Sequence, residues 1–381
     1  MGKKTLGLIT RLLTNGLRFQ CLKRMGKPGR LQALSIEITH NCIARCMMCN
    51  IWKIPAEVPN LPLEKWIGLL DADLFSNLVE LDITGGEPFL KKNLSYFFRR
   101  IGELRKTRLK ALKSVAVTTN GFLTERVLSV VEQVLPHFQD RGLDLVMVCA
   151  VDAIGGLHDK IRNFKDGWQK ADRTIEGLIS LQKKHPNLII GLKTTILPLN
   201  VDALDAIIQY ARLRGLFTII SPYIITPGRY LNFNQEKNLA FGQDDIAKMI
   251  EFFTRQKSSW DFHTQALVHF FASGAMHKPC TCGFNYLFLR SSGEMFLCPL
   301  INESVGNVSR TSAENLFFSS KADQIRKRIG KRTQCVSCTE PGLERYALPF
   351  EGFSYLRLLA RIGEKRFWEM HRRTGLEKYF V

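Results

Sequence analysis

The sequence contains no long uninterrupted run of apolar residues. The longest, residues 145–151, has seven, whereas a membrane-spanning helix needs roughly 20. The N-terminus is basic but has neither a continuous apolar segment nor a small-residue cleavage site of the kind found in secretory signals. Low-complexity tracts and long-period repeats are also missing. These absences argue against a membrane-spanning chain and predict a soluble, cytoplasmic protein.

Acidic residues are absent from the first 30 residues, which carry eight Lys or Arg. Most of the net charge of +19 lies in three places: residues 1–30 with +8, residues 321–332 with +5 and residues 341–381 with +3. The remaining body is nearly neutral. This distribution argues against a phosphate-binding channel through the core and predicts basic surfaces at the periphery.

Both ends of the sequence have helical periodicity. One apolar stripe of residues 5–19 consists of Leu6, Ile9, Leu13 and Leu17. In the tail, the alternating apolar and basic residues are Tyr355, Arg357, Leu358, Leu359, Arg361, Ile362, Lys365, Trp368, Arg372 and Arg373. Such helices either pack against the rest of the protein or make peripheral contact with an anionic membrane, and both interpretations stay open. Contact with nucleic acid ranks below both, because no RNA-binding signature is present.

Eight of the ten cysteines fall into two tight groups, and only Cys21 and Cys149 lie outside them. Cysteines in an exported chain would suggest disulfide bonds. Thiols clustered this closely are better explained by soft-metal binding in a reducing compartment.

Short β-rich apolar runs alternate with longer segments of helical period, as is typical of β/α units. The predicted strands are Ala33–Thr39, Leu78–Thr84, Ser114–Thr119, Leu143–Asp152, Leu188–Leu197 and Phe217–Tyr223. Six such parallel strands form either a doubly wound sheet or an incomplete (β/α) barrel, and both gather functional loops at the carboxyl ends of the strands. The first cysteine group directly follows the first predicted strand.

The β/α pattern ends after residue 223, and the second cysteine group lies farther along the chain. The predicted organisation is a basic amphipathic N-terminal segment (1–30), an α/β core domain (31–232), a helical linker (233–279), a small cysteine-rich domain (280–342) and a basic helical C-terminal tail (343–381).

The first group, Cys42, Cys46 and Cys49, offers three thiolates without a fourth cysteine nearby. Three ligands on a [4Fe-4S] cluster leave one iron free to chelate a small molecule through an amine and a carboxylate. Zinc is the alternative, and His40 is close enough in sequence to keep it open.

The CxxxCxxC spacing after the first strand, with apolar Met48 before the last cysteine, resembles the radical S-adenosylmethionine (SAM) superfamily. The resemblance continues at two later strand ends. The second strand ends in Gly85, Gly86, Glu87 and Pro88, similar to the family's GGEP loop, whose backbone contacts the amino group of SAM. The third ends in Thr118, Thr119, Asn120 and Gly121, similar to the family's TNG step. Separately each is a common turn, but together they occur in the family's order.

The fourth strand ends in Asp152, followed by Arg162, and resembles the family segment near the SAM ribose and carboxylate. Ala150 and Ala153 stand where the family often has Ser and Gly. The resemblance implies that Arg162 pairs with the methionine carboxylate. A surface salt bridge with a nearby aspartate is the alternative.

The second group resembles a SPASM domain truncated to a twitch-like form with one auxiliary [4Fe-4S] cluster. The predicted ligands are Cys282, Cys298, Cys335 and Cys338, with Cys280 as a spare thiol. Two apolar runs around Ser292 and Gly293 predict a β-hairpin between Cys282 and Cys298. A zinc ribbon would have nearly the same spacing.

The resemblance implies a partial (β/α)6 TIM-like barrel followed by a small cysteine-rich β-hairpin/α domain. It also implies reductive cleavage of SAM to a 5'-deoxyadenosyl radical, which abstracts hydrogen from a substrate while the auxiliary cluster assists. The expected partners are a reductase, flavodoxin or ferredoxin as electron donor, and a peptide or a small or lipid-linked metabolite as substrate. Only 41 residues precede Cys42, so a peptide substrate would require a separate recognition partner. The alternative is a non-catalytic zinc-binding protein with basic interaction surfaces.

Overall fold

Six parallel strands form the first part of the sheet in the computed structural model, which describes residues 2–256 and 261–373. Their ends lie close to those of the predicted runs. The strands are β1 (Ala33–Thr39), β2 (Glu80–Gly85), β3 (Ser114–Thr119), β4 (Asp144–Ala150), β5 (Leu188–Ile196) and β6 (Phe217–Pro222).

Each of these strands pairs with the next one along the chain. In a doubly wound sheet the order of the strands would instead reverse at a switch point. The uninterrupted order found here is that of a partial barrel. The helices in and before this region are α1 (Lys3–Met25), α2 (Leu63–Leu70), α3 (Leu94–Thr107), α4 (Thr124–Gln139), α5 (Gly156–Arg162), α6 (Gly167–Gln182) and α7 (Leu204–Leu213).

The sheet continues beyond β1 into the second cysteine region. Strand β7 (Tyr286–Leu289) pairs in parallel with β1, and β8 (Glu294–Phe296) and β9 (Ser304–Asn307) follow it in antiparallel fashion. The predicted hairpin is therefore β7–β8, and its turn uses Gly293 at φ 87°, where a side chain would be strained. The cysteine-rich region and the barrel thus share one nine-stranded sheet.

The remaining helices surround this extended sheet. Those in the described residues are α8 (Glu236–Leu239), α9 (Gln243–Arg255), α10 (Asp261–Ser273), α11 (Ala313–Phe317), α12 (Ser320–Arg328), α13 (Thr333–Val336), α14 (Pro341–Glu351), α15 (Phe353–Ile362) and α16 (Glu364–Arg373). The first three, α8, α9 and α10, lie in the predicted linker, residues 233–279.

Large aromatic side chains on the helices fill the space outside the barrel sheet. Trp66 on α2, Phe97 on α3 and Phe138 on α4 are completely buried with the strand residues. This packing holds the sheet rigid and leaves the carboxyl ends of its strands free to carry polar side chains.

The two ends of the chain pack on each other. Leu8 and Leu12 of α1 are buried with Leu358, Phe367 and Trp368 of the tail helices. The described part of the tail therefore packs against the rest of the protein, which was the first of the two predicted alternatives. Residues 374–381 of the tail lie outside the described residues. No helix in the described ranges is long and apolar enough to cross a membrane.

Of the predicted apolar stripe of α1, only Ile9 packs against the rest of the protein, half-buried beside the tail cluster. Leu6, Leu13 and Leu17 are exposed, at 56%, 43% and 65%. The helix has a second apolar line, which is the buried one. It includes Gly16, where an added Cβ would lie 2.5 Å from the ring of Phe353, so a small residue there lets the tail approach closely.

We predict that Gly352→Ala destabilises the terminal helices much more than Gly363→Ala. Both glycines have positive φ, at 75° and 81°, in sparsely populated backbone regions where a residue with a side chain costs roughly 1–3 kcal/mol. At Gly352 the new Cβ would also lie 2.1 Å from the carbonyl oxygen of Leu12, whereas nothing lies within 4 Å at Gly363. Thermal unfolding of the two apoprotein variants measures the difference, and equal losses of Tm would contradict this packing.

Candidate metal and cofactor site

A cavity of about 170 Å³ lies at the carboxyl edge of the barrel sheet. Its wall includes all three thiols of the first group, Cys42, Cys46 and Cys49. It also includes Glu340 and Pro341, which directly follow the second cysteine group. The first cysteine group therefore lines the same cavity as the residues that follow the second group in sequence.

The loop that carries the first three cysteines is held from two sides. On one side, the backbone N–H of Met47 donates to the carbonyl of Ile161 in α5 at 2.9 Å. On the other, the N–H of Asn50 donates to the carbonyl of Tyr230, in the loop after β6, at 2.8 Å. Because both contacts use backbone groups, they fix the path of the loop independently of its side chains.

Two glycines at the end of β2 let this loop come close. The N–H of Gly86 donates to the carbonyl of Thr39 at 2.8 Å. A Cβ at Gly85 would lie 2.2 Å from that same oxygen, and one at Gly86 would lie 2.2 Å from the carbonyl oxygen of Asn41. Gly85 also has φ 149°, a conformation that favours glycine. Both glycines line the cavity.

Glu87 follows these glycines and is completely buried. Its carboxylate accepts from the N–H of Phe89 at 3.1 Å, the hydroxyl of Thr119 at 2.8 Å and the N–H of Asn120 at 2.8 Å. Burial raises the pKa of Glu87 to about 7. The side chain thus fastens the end of β2 to the end of β3.

Arg162 connects a buried carboxylate with a cysteine. Its Nε lies 2.6 Å from Oδ2 of Asp152, which is completely buried, and its Nη1 lies 3.7 Å from Sγ of Cys46. Burial raises the pKa of Cys46, and the guanidinium partly opposes this effect. The observed partner of Arg162 is therefore Asp152 rather than a surface aspartate, and Arg162 still lines the cavity.

The predicted cofactor residues divide into two sets. Glu87, Pro88 and Asp152 do not line the cavity, because the carboxylates of Glu87 and Asp152 are occupied inside the protein and Pro88 begins a short buried turn. Those that do line it are Met48, Gly85, Gly86, Thr119, Asn120 and Arg162.

The donor set fits a cluster that binds SAM. Three thiols line one wall, which suits an iron-sulfur cluster with one open iron. Burial raises the pKa values of Cys42 and Cys49 to about 12, so an incoming metal must displace their protons. Nδ2 of Asn120 is buried at the cavity without a hydrogen-bond partner in the described part of the chain, and can donate to a ligand.

The thiols are not arranged around a single ion. Among residues 2–256 and 261–373, no group of three or more His, Cys, Asp or Glu side chains has the geometry to hold one metal ion. All ten cysteines are free thiols. His40 instead contacts Ser291 through Nδ1 at 3.0 Å, so its ring has a structural partner.

In the second group, the segment before Cys280 is hydrogen-bonded to the chain around the CxxC pair. The N–H of Met276 donates to the carbonyl of Val336 at 2.7 Å, and Nζ of Lys278 donates to the carbonyl of Glu340 at 2.6 Å. The segment that leads into Cys280 therefore runs beside Cys335–Cys338.

Charge interactions agree with this placement. Besides burial, Cys280 and Cys298 both raise the pKa values of Cys335 and Cys338. Cys282 is 2% exposed, and its hydrogen bond with Cys280 lowers the pKa of Cys280 to about 7.

Four charged residues that line the cavity were not predicted as site residues. They are Glu37 on β1, Lys193 on β5, Arg229 after β6 and Glu340. Burial alone would lower the pKa values of Lys193 and Arg229, but Glu340 and other neighbours raise both overall. For Lys193, the sequence signal was a single lysine within the apolar run of β5. For Glu340, the signal was weaker and consisted of its position just after the CxxC pair.

The family models match the two cysteine regions separately. The model of the radical SAM superfamily matches residues 36–211, and that of the SPASM iron-sulfur cluster-binding domain matches residues 280–339.

Among curated relatives, a GTP 3',8-cyclase of Campylobacter jejuni is 26% identical over 187 residues, which are 48% of this chain and 53% of that one. The chain thus spans about half the length of that relative. The sporulation killing factor maturation protein SkfB of Bacillus subtilis is 21% identical over 346 residues, 90% of this chain and 78% of that one.

Solved structures share the fold. Streptococcus suis SuiB bound to S-adenosylmethionine has a TM-score of 0.59 at 13% identity, covering 84% of this chain and 73% of that one. The AdoMet-bound anSMEcpe has a TM-score of 0.54 at 18% identity, covering 91% and 99%. The partial barrel expected from the sequence is therefore confirmed.

We predict that the stabilising effect of Glu87 depends on pH. Its folded pKa of about 7 lies above the ordinary value of 4.5, so its contribution is fully present below about pH 4.5 and is lost as the pH rises through about 7. Since glutamine does not titrate, the Tm of the native apoprotein minus that of Glu87→Gln should fall between about pH 5 and about pH 8.

The matched control is Glu132→Gln, which changes an exposed glutamate on α4 and should show no such trend. A difference for Glu87→Gln that stays constant over the same range would show that the carboxyl does not titrate there.

Proposed function

We propose that this chain, which belongs to the radical SAM superfamily and carries a SPASM domain, modifies a peptide. The chemistry supplied by a cluster bound at Cys42, Cys46 and Cys49 is one-electron reduction of SAM, giving methionine and a 5'-deoxyadenosyl radical that abstracts hydrogen from the substrate. The remaining functions belong to the protein: to hold the cofactor, orient the peptide and exclude water.

The observation that carries this proposal is the shared cavity. Cys42 and Glu340 line the same cavity, and Glu340 lies two residues after Cys338. A substrate in the cavity would therefore lie against the first cysteine group and against the residues that follow the second one. An auxiliary [4Fe-4S] cluster so placed can accept an electron from the substrate or anchor it.

Four residues would hold SAM beside the first group. The backbone at Gly85 and Gly86 can approach the amino group because neither glycine has a side chain. Arg162 offers its guanidinium to a carboxylate, while Asp152 fixes its orientation through Nε. Nδ2 of Asn120 supplies a further donor. Ala150 lines the cavity without a hydroxyl, so contacts in this part of the site depend on the other side chains.

The relatives favour a peptide over a nucleotide substrate. SkfB is named as a maturation protein and matches 90% of this chain, whereas the GTP cyclase matches 48%. AlbA of Bacillus subtilis is named as an antilisterial bacteriocin subtilosin biosynthesis protein, and SuiB was solved bound to the precursor peptide SuiA. In this chain, Lys193, Arg229 and Glu340 would meet the polar groups of a peptide. A flavodoxin, a ferredoxin or a reductase would supply the electron.

The geometry favours Cys280, Cys298, Cys335 and Cys338 as the auxiliary ligands. This set replaces Cys282 of the sequence prediction with Cys280, because the segment before Cys280 is hydrogen-bonded to residues 336–340. Cys282 is 2% exposed and hydrogen-bonds with both Cys280 and Cys298, so in this set it supports two of the ligands.

We predict that the anaerobically reconstituted chain binds about eight irons, four for each cluster, and modifies a short precursor peptide, which a search of the genes next to its own would supply for the assay. With SAM and dithionite, the peptide mass should change and 5'-deoxyadenosine should appear in proportion. Mass spectrometry and chromatography measure the two products.

The variant with Cys42, Cys46 and Cys49 all replaced by Ala is the control. It should keep about four irons and lose both products. Cleavage of SAM by this variant would refute the cluster assignment. Two zinc ions without cleavage would instead support the non-catalytic zinc-binding alternative, and cleavage coupled to a small metabolite would refute the peptide.

We predict that Cys280→Ser and Cys282→Ser differ in iron content. If Cys280 is the ligand, its serine variant should lose most of the auxiliary iron, about four per chain, whereas Cys282→Ser should keep it. Iron analysis combined with electron paramagnetic resonance of the reduced proteins separates the two. The opposite result would restore Cys282 as the ligand.

A further inference from the structure

We propose that α1 docks the protein on an anionic lipid surface through a leucine stripe, defined as Leu6, Leu13 and Leu17. These side chains are 56%, 43% and 65% exposed. Their spacing of seven and four residues places them on one side of a helix with 3.6 residues per turn. The stripe is about 16 Å long, from eleven residues at about 1.5 Å each.

The stripe cannot turn inward, because the opposite side of α1 is fixed. Leu8 and Leu12 are 3% and 1% exposed and pack in the cluster of the tail helices. At the first turn, the N–H of Gly2 and the hydroxyl of Thr5 both donate to the carboxylate of Glu364. The helix is therefore held in one orientation and presents the stripe as a preformed surface.

The charges around the stripe identify the kind of surface it fits. All eight basic residues among the first 30 are exposed, and this segment contains no acid. Arg24 follows Leu6 by eighteen residues, or five turns, and so lies on the line of the stripe. Lys3 lies beside the line, and Arg11 and Arg18 lie farther around the helix. Leucines flanked by cations on a helix lying along a surface match anionic headgroups above acyl chains.

The form of the stripe favours lipid over a protein groove. Its members are aliphatic, follow a line and alternate along the helix with exposed polar residues such as Thr10 and Thr14. Protein interfaces instead concentrate their binding energy in compact buried patches rich in aromatic residues. Separate leucines along a line can each insert between headgroups.

The test is co-sedimentation of the reconstituted full chain with vesicles. One set is phosphatidylcholine alone, and the other contains about 30% phosphatidylglycerol, whose negative charge attracts basic segments. We expect binding to the anionic vesicles only, weakened by salt. The variant with Leu6, Leu13 and Leu17 all changed to Ser should bind at least about tenfold less, because it loses the buried apolar area.

Leu213→Ser is the matched control, because Leu213 is 75% exposed and lies on α7 of the barrel. It should bind vesicles like the native chain. Unchanged iron content and SAM cleavage in the triple variant would show that it is folded, independently of the substrate proposed above.

Several results would overturn the proposal. These are no binding to either vesicle, equal binding to neutral and anionic vesicles, or equal losses in the triple variant and in Leu213→Ser. If light scattering shows a native dimer that the triple variant abolishes, a second copy covers the stripe. If the chain binds polyglutamate but no vesicle, the surface serves an acidic protein.

Discussion

One buried carboxylate holds together the edge of the sheet on which the site is built. Glu87 accepts hydrogen bonds from Thr119 and Asn120 at the end of β3, while its own backbone N–H donates to the carbonyl of Asn41 in the cysteine loop. Three strand ends thus meet through one residue. The two preceding glycines make the contact possible, because a Cβ on either would collide with backbone of the first strand or the loop after it.

The second constraint is the pairing of β1 with β7. Because the hairpin of the cysteine-rich region extends the barrel sheet at its first strand, it is fixed to the same strand that leads into Cys42. Ser291 in the hairpin turn donates to Glu37 on β1 and contacts His40, adding buried polar contacts to the ladder. If the two metal-binding regions belonged to separate flexible domains, the distance between them would vary. Because both are attached to one hydrogen-bonded sheet, that distance is fixed.

The N-terminal helix α1 has two apolar lines, and only one of them packs against the protein. Hydrophobic periodicity selected Leu6, Leu13 and Leu17, which are exposed. The line that packs includes Thr5 and Gly16, residues that no hydrophobicity pattern would select. Their roles, a hydrogen bond to Glu364 and room for the ring of Phe353, depend on a partner more than 300 residues away.

The sequence alone determined where the six barrel strands and the first cysteine group lie along the chain, because these depend on local periodicity and on motifs of a few residues. The order of the strands in the sheet, which separates a partial barrel from a doubly wound sheet, is a property of the tertiary structure. Only the tertiary structure decided which polar residues reach the cavity. Glu87 and Asp152 belong to family motifs but are occupied internally, while Lys193 and Glu340 line the cavity without belonging to any motif. The sequence prediction took Cys282 as a ligand, and the proposal of Cys280 in its place rests on hydrogen bonds between distant segments. Motifs record the order of residues along the chain, whereas burial and contact are set by the packing of distant segments.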